Sequence, residues 1–371
     1  MSGLYVHIPF CKSRCIYCAF YSTILTEEMA AYVDSLCKEI SLRRQDWTTV
    51  YIGGGTPSRL SPDLLRKLFG NIDCGKAKEI TIECNPDDVS SDFASLLASL
   101  PVNRVSLGIQ TFSDSRLRFL RRRHNSSQAI RAVERLRKAG IDNISIDLMY
   151  GFPDETSADW LRDIDVALSL SPNHISAYML TLEENTPLYN MKKEGKLKEC
   201  DEELAREMYY TLIDRLCSTG YDHYEISNFA LPGFRSVHNS GYWKGEPYVG
   251  VGAAAHSYLI SDSQESRQWN IGDVRRYIES MSEGKRLFGS EILTDNEIFN
   301  DMIMLSLRTR EGIDLKKISD KWGDNRLEYI KENAKKYVDS GLLLLSPSRL
   351  SLSRNGLFVS DMITSSLMIA D

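Results

Sequence analysis

The sequence predicts an α/β protein built on a parallel sheet and followed by a smaller helical domain, and three observations carry that expectation. Short apolar and β-branched runs recur at 4–10, 49–53, 79–84, 104–110, 144–149 and 174–181. Between them, 27–42, 62–69, 126–139, 157–170 and 202–216 show apolar residues three and four apart, the spacing of one helix face. After about residue 286 the alternation stops. Six strand–helix repeats imply right-handed crossovers between parallel strands, in an open sheet or a barrel. In both arrangements ligands gather at the carboxyl ends of the strands.

The first apolar run leads into Cys11, Cys15 and Cys18, spaced C-x3-C-x2-C. Three closely spaced thiolates hold three irons of a [4Fe–4S] cluster and leave the fourth open for a small ligand. The competing metal is zinc, which in a structural site asks for four protein ligands, often as two Cys pairs. Cys37, Cys74, Cys84, Cys200 and Cys217 are scattered singly and are expected to be packing residues. His7 completes a Cys3His set on paper, but it lies within the first strand. A disulfide framework is not needed, because 371 residues with 42% hydrophobic composition bury a large core unaided.

The second strand runs into Gly53-Gly54-Gly55-Thr56-Pro57, where glycine lets the backbone approach a ligand closely. No Gly-Lys-Ser/Thr follows, so it is not a P-loop. The third strand ends in Glu83-Cys84-Asn85-Pro86, the fourth in Gln110, and the fifth carries Asp147 before Tyr150-Gly151-Phe152-Pro153. Any one of these reads as a cap for the next helix. Four polar ends and a cysteine loop on one rim read as a site.

A net charge of -6 argues against a general binder of nucleic acid or anionic membrane. The start MSGLYVHIPF lacks the pattern of a signal peptide, and no apolar run approaches a membrane span. A cytoplasmic location with reduced thiols is the expectation.

Taken in order, Tyr5-Val6-His7-Ile8-Pro9-Phe10-Cys11 with Cys15 and Cys18, the Gly53–Pro57 segment, Glu83, Gly108-Ile109-Gln110, Arg122 and Ile146-Asp147-Leu148 resemble the radical S-adenosylmethionine family of HemN and HemW. The resemblance covers nearly the whole chain. It implies a partial (β/α)6 barrel over 1–230, with Cys11, Cys15 and Cys18 on a [4Fe–4S] cluster. It further implies that Tyr5, Gly54, Gly55, Thr56, Glu83, Gln110, Arg122 and Asp147 line S-adenosylmethionine sites. Acidic side chains suit ribose hydroxyls and an ammonium, and a guanidinium suits a carboxylate. Arg121 stands where relatives commonly have glycine, and Arg122 is chosen among three consecutive arginines by its distance from Gln110.

Two branches of that family differ at residues visible here. The coproporphyrinogen-oxidising branch carries a further cysteine two after the third ligand and an N-terminal extension. This chain has Phe20 there, with ten residues before Cys11. The heme-chaperone branch has the Phe-Tyr-Ser pattern of Phe20-Tyr21-Ser22, although it more usually shows Asp at the position of Ala19. It is also associated with H-N-x-x-Y-W, found as His238-Asn239-Ser240-Gly241-Tyr242-Trp243 within a connecting segment at 231–285. Heme needs an axial ligand and flat apolar walls, so His238 is the expected ligand, Tyr242 and Trp243 the wall, and His256 the second choice.

From 286 to 371, segments 297–307, 315–321 and 326–340 read as helices, and 341–345 with 349–352 as a hairpin around Ser346-Pro347-Ser348. That is a winged-helix pattern. Acidic and basic residues nearly balance, with no basic stripe on the would-be recognition helix, so a lid or docking role is expected in place of DNA binding. Three readings follow. The leading one is a heme chaperone with a cluster and S-adenosylmethionine that passes heme to an acceptor protein, a membrane-associated one included. The second is an oxygen-independent coproporphyrinogen III dehydrogenase acting on propionate side chains, and the third a zinc-bearing winged-helix regulator. Whether radical chemistry is performed is left open.

Overall fold

The computed structural model describes residues 2–262 and 264–369. Six strands, β1 (Gly3–Ile8), β2 (Thr49–Gly54), β3 (Glu79–Cys84), β4 (Arg104–Gln110), β5 (Ile144–Tyr150) and β6 (His174–Met179), lie side by side in chain order and parallel. The intervening helices are α1 (Met29–Leu42), α2 (Pro62–Gly70), α3 (Ser91–Ser99), α4 (Asp114–Phe119), α5 (Ser126–Lys138) and α6 (Ser157–Ser169). Every strand expected from the sequence is present. Helix α3 was not expected: it has nine residues and buries only Ala94, Leu96 and Leu97, too short a stripe to show a period.

Along these strands the residues alternate in character. Leu4, Val6, Ile8, Val50, Ile52, Ile82, Val105, Leu107, Ile144, Ile146 and Ile175 belong to the main apolar core with the helices. Their neighbours in sequence, such as Tyr5, Tyr51, Glu79, Glu83, Arg104, Ser106, Ser145, Asp147 and His174, occupy the opposite face, because successive side chains in a strand point to opposite sides. That second face is held by hydrogen bonds: Tyr51 to Glu83, Ser106 to Asp147, and Ser145 with His174. Parallel strands packed on both faces read as continuous apolar runs. The alternation here therefore marks one face of the partial barrel as a polar, ligand-facing interior.

The sheet continues beyond both ends of this parallel set. After α7 (Pro187–Lys193) and α8 (Glu202–Ser218) come β7 (Asp222–Glu225) and β8 (Asn228–Ala230); β8 pairs antiparallel with β6, and β7 antiparallel with β8 at the edge. On the other side, β9 (Tyr248–Val251) follows α9 (Val237–Trp243) and pairs parallel with β1. The antiparallel strands β10 (His256–Ser261) and β11 (Gln264–Asn270) extend it. After α10 (Val274–Ser282), β12 (Phe288–Ile292) forms the edge of a sheet of 12 strands. Segment 231–285 is thus woven into the sheet, and the sheet runs past residue 286. The sequence conceals this because Ile260, Phe288 and Ile292 are exposed apolar residues in otherwise polar strands.

The strand ends that matter are tied by unusual backbone. At Gly250 in β9 an added Cβ would lie 2.0 Å from the His256 carbonyl oxygen, so only glycine allows β10 to fold back so closely. In β4 the register shifts between Gly108 and Gln110, and Gln110 has φ 72°, a bulge of the kind that re-aims side chains beside sites.

The chain ends in α11 (Asp295–Leu307), β13 (Ile313–Asp314), α12 (Leu315–Trp322), α13 (Asp324–Asp339), β14 (Leu343–Leu345), β15 (Arg349–Leu352), α14 (Arg354–Leu357) and α15 (Ser360–Leu367). The expected three helices and hairpin are there, with a third short strand against β15. Phe299, Ile303, Leu307, Ile318, Ile330 and Leu350 anchor a separate core. Among the described residues, no helix is long and apolar enough to cross a membrane.

Candidate functional site

The loop after β1 carries Cys11, Cys15 and Cys18, all partly exposed and unpaired. Two backbone bonds shape it: the Cys11 amide donates to the Thr23 carbonyl (2.8 Å) and the Cys18 amide to the Cys15 carbonyl (3.3 Å). A chain of side-chain bonds links two of the thiols. Thr56 Oγ1 donates to Cys11 Sγ (3.6 Å), Asn85 Nδ2 donates to Thr56 Oγ1 (3.4 Å), Arg122 Nη2 donates to Asn85 Oδ1 (2.7 Å), and Arg122 Nη1 donates to Cys15 Sγ (3.5 Å). The carboxyl ends of β2, β3 and β4 are thereby joined to the cysteine loop.

Those bonds select one arginine of three. Arg122 also donates to the Gly108 carbonyl, whereas Arg123 pairs with Asp87 and Asp88 and Arg121 is exposed. Arg121 has φ 59°, the left-handed region that favours glycine, which is the physical reason a glycine suits that position. Among the described residues Arg122 Nε is buried without a partner, so the guanidinium retains a donor for an anionic ligand.

Glu83 lies opposite the glycine loop. Its Oε1 accepts from the Tyr51 hydroxyl (2.7 Å) and its Oε2 from the Gly54 amide (3.1 Å). Burial pushes its carboxyl up to about 7, with the nearby Asp147 adding to the rise. Gly54 has φ 110°, and a Cβ there would lie 2.6 Å from the His7 ring. Tyr5 donates toward or accepts from His7 Nδ1 (3.0 Å), and burial holds its phenol well above the usual range. Gln110 accepts from the Tyr17 hydroxyl (2.7 Å), while Asp147, raised by burial, accepts from Ser106 Oγ (3.3 Å).

The donor set at the loop suits an iron–sulfur cluster better than a single metal ion. Among the described residues no three Cys, His, Asp or Glu side chains converge on a point the size of one metal ion. A cluster takes each thiolate on a different iron, so its cysteines need not meet at one ion. His7 does not supply a fourth zinc ligand, since its Nδ1 is bonded to the Tyr5 hydroxyl (3.0 Å) and its Nε2 to the Tyr21 carbonyl (3.1 Å). The remaining cysteines are mixed: Cys37 and Cys84 are buried, but Cys217 is exposed and is no packing residue.

The structure does not bring His238, Tyr242 and Trp243 to this mouth. His238 is 3% exposed and bonds Thr49 Oγ1, at the first residue of β2, through Nδ1 (2.8 Å), and the Tyr242 hydroxyl through Nε2 (2.8 Å). Its ring stacks on Tyr51 at 5.1 Å, and burial lowers it to about 3, with Arg104 contributing. Both nitrogens are engaged, so as an axial ligand His238 would have to break one of these bonds. It closes the amino-terminal end of the barrel. Trp243 stacks under Arg308 at 4.6 Å and borders a cavity on that side.

Sequence reasoning passed over Tyr17, Tyr51 and Ser106 and named Asn85 only as part of a strand end, yet all four position the expected residues. The signal that finds Tyr51 and Ser106 is the polar member of each alternating strand pair.

Residues 5–167 match the model described as the Radical SAM superfamily, and 293–359 match the HemN C-terminal domain. The chain is 35% identical over 376 residues to the heme chaperone HemW of Lactococcus lactis, covering 100% of this chain and 98% of that one. It is 34% identical to the heme chaperone HemW of Bacillus subtilis, covering 96% of each. A solved structure of coproporphyrinogen III oxidase (HemN) from Escherichia coli, a radical SAM enzyme, superposes with a TM-score of 0.83 at 21% identity over 99% of this chain and 89% of that one, a likeness of fold. A cysteine loop bonded to strand ends, a glycine cradle against a half-buried carboxylate and two matched family models, with the full-length relatives, make one assignment: the chain belongs to the radical SAM family of HemN and HemW type.

Proposed function

We propose that this protein handles heme while holding a [4Fe–4S] cluster and S-adenosylmethionine at the strand-end mouth, and that it passes the heme to an acceptor protein. Cys11, Cys15 and Cys18 would hold the cluster, which supplies an open iron for the amino and carboxylate groups of the ligand. Tyr5, Gly54, Gly55, Thr56, Glu83, Gln110, Arg122 and Asp147 would surround that ligand. Arg122 orients a carboxylate beside Cys15, and the Gly54 backbone brings the ligand against Glu83. The observation that carries the heme reading is the full-length similarity to proteins named heme chaperone HemW, together with Phe20 in place of a fourth cysteine. Phe20 is 73% exposed at the loop and offers no thiol to a substrate.

The purified, reconstituted protein is therefore expected not to convert coproporphyrinogen III to protoporphyrinogen IX when supplied with S-adenosylmethionine and a low-potential reductant. Product counted by chromatography over many turnovers would replace this reading with the dehydrogenase.

Ligand binding at the mouth should depend on Glu83. Glu83→Ala is expected to leave cluster content unchanged and to cost about 1.5–3 kcal/mol of S-adenosylmethionine affinity, the worth of a hydrogen bond to a charged group. Because the carboxyl titrates at about 7, protonation as pH falls removes its charge, and affinity should drop below about that pH in the parent and not in Glu83→Ala. Calorimetry on both sides of neutrality checks both expectations. Equal affinities for parent and variant would leave Glu83 a structural role only.

A further inference from the structure

A cavity of about 1110 Å³ lies at the end of the barrel opposite the cysteine loop, between α9, β10 and the helices of the C-terminal domain. Ligand pockets commonly span about 300–1,000 Å³, so it has room for a large ligand. Its walls combine three kinds of group. Trp243, Ile260, Met302 and Met304 are apolar, with Ile260 49% and Met304 46% exposed. Arg235, Arg267, Lys321 and Arg349 on the walls are each paired with a carboxylate, whereas among the described residues Lys78, Lys244 and Lys317 make no ion pair. The third is His256, exposed at the start of β10, with its ring over Trp269 at 6.2 Å and, among the described residues, no hydrogen bond to either nitrogen. Trp243 Nε1 is buried there with no acceptor among the described residues.

Each feature narrows the ligand. Flat aromatic and thioether surfaces suit a wide apolar body. Unpaired lysines suit carboxylates on its rim, and an imidazole with free nitrogens suits a metal at its centre. We propose that this cavity binds an iron porphyrin, with His256 as the ligand to the metal and Lys244 and Lys317 receiving its carboxylates. The inference rests on the reading of the protein as heme-handling. It separates the heme site from the strand-end mouth: His238, Thr49 and Gly3 form the floor between them, and the groups at the mouth remain available for S-adenosylmethionine.

Hemin titration of the full-length chain tests this. His256→Ala should shift the Soret band and weaken hemin binding by roughly tenfold or more, and, since the side chain is exposed, leave the fold intact. The double variant Lys244→Gln, Lys317→Gln should weaken binding by about tenfold, the loss of one or more charge-assisted bonds, with the Soret position of the parent. Saturating S-adenosylmethionine on the reconstituted protein should not displace hemin. If the parent binds hemin and both variants match it, or if S-adenosylmethionine displaces hemin mole for mole, the cavity assignment is overturned while the heme-handling reading survives. Absence of hemin binding by the parent overturns both.

Discussion

Cys15→Ala is expected to remove the cluster altogether while leaving the protein folded. Cys15 is the central thiol of the loop and accepts from Arg122, so its loss removes both a ligand and the link to the strand ends. Two thiolates cannot hold three irons of a [4Fe–4S] cluster; Cys37 and Cys84 are buried and Cys217 lies on α8, so none of those three stands in for Cys15. Iron and labile sulfide after anaerobic reconstitution should fall to background, together with the charge-transfer absorbance. Cys217→Ala serves as the control and should match the parent. Full iron and sulfide in Cys15→Ala would show that the cluster is held elsewhere and that the C-x3-C-x2-C spacing is not its ligand set.

The mouth was legible in the sequence because its chemistry is written locally. Cys11, Cys15 and Cys18 lie on one loop, and Gly54, Glu83 and Gln110 fall at the last residues of strands, with Asp147 in the middle of the next, whose limits are marked by β-branched runs. Arg122 was harder, since three arginines in a row differ only in what they reach; the left-handed backbone at Arg121 turns the next residue toward Gly108 and Cys15. The amino-terminal end was not legible. His238 looks like a free imidazole beside two aromatics until Thr49, 189 positions away, takes one nitrogen and Tyr242 the other. Likewise β9 pairs with β1, far away in sequence, and β10 and β12 expose Ile260, Phe288 and Ile292, so neither period nor composition announces them. Local pattern predicts elements, whereas burial of a polar side chain depends on partners that the pattern does not name.

The largest effect on stability is expected at that same end, from Glu79→Ala. Glu79 is 5% exposed, and its carboxylate accepts from the Val237 amide (2.9 Å), the His238 amide (2.9 Å) and Ser236 Oγ (3.4 Å), the first turn of α9. A carboxylate is favoured there, because the first amides of a helix have no partner within it and carry partial positive charge. Arg104, 2% exposed, lies 3.9 Å from the same carboxylate. Removing Glu79 leaves a buried guanidinium without its counter-charge and strips three donors of their acceptor, a loss of about 3–5 kcal/mol. Chemical denaturation followed by far-ultraviolet circular dichroism should show the drop. Adding Arg104→Met to Glu79→Ala should restore much of it, since replacing both members of a buried pair by apolar groups is far less costly than removing one. Cluster content should survive in the folded variant, because the cysteine loop sits at the other end of the strands. A Glu79→Ala protein as stable as the parent would mean that water reaches Arg104 and that α9 does not seal the barrel.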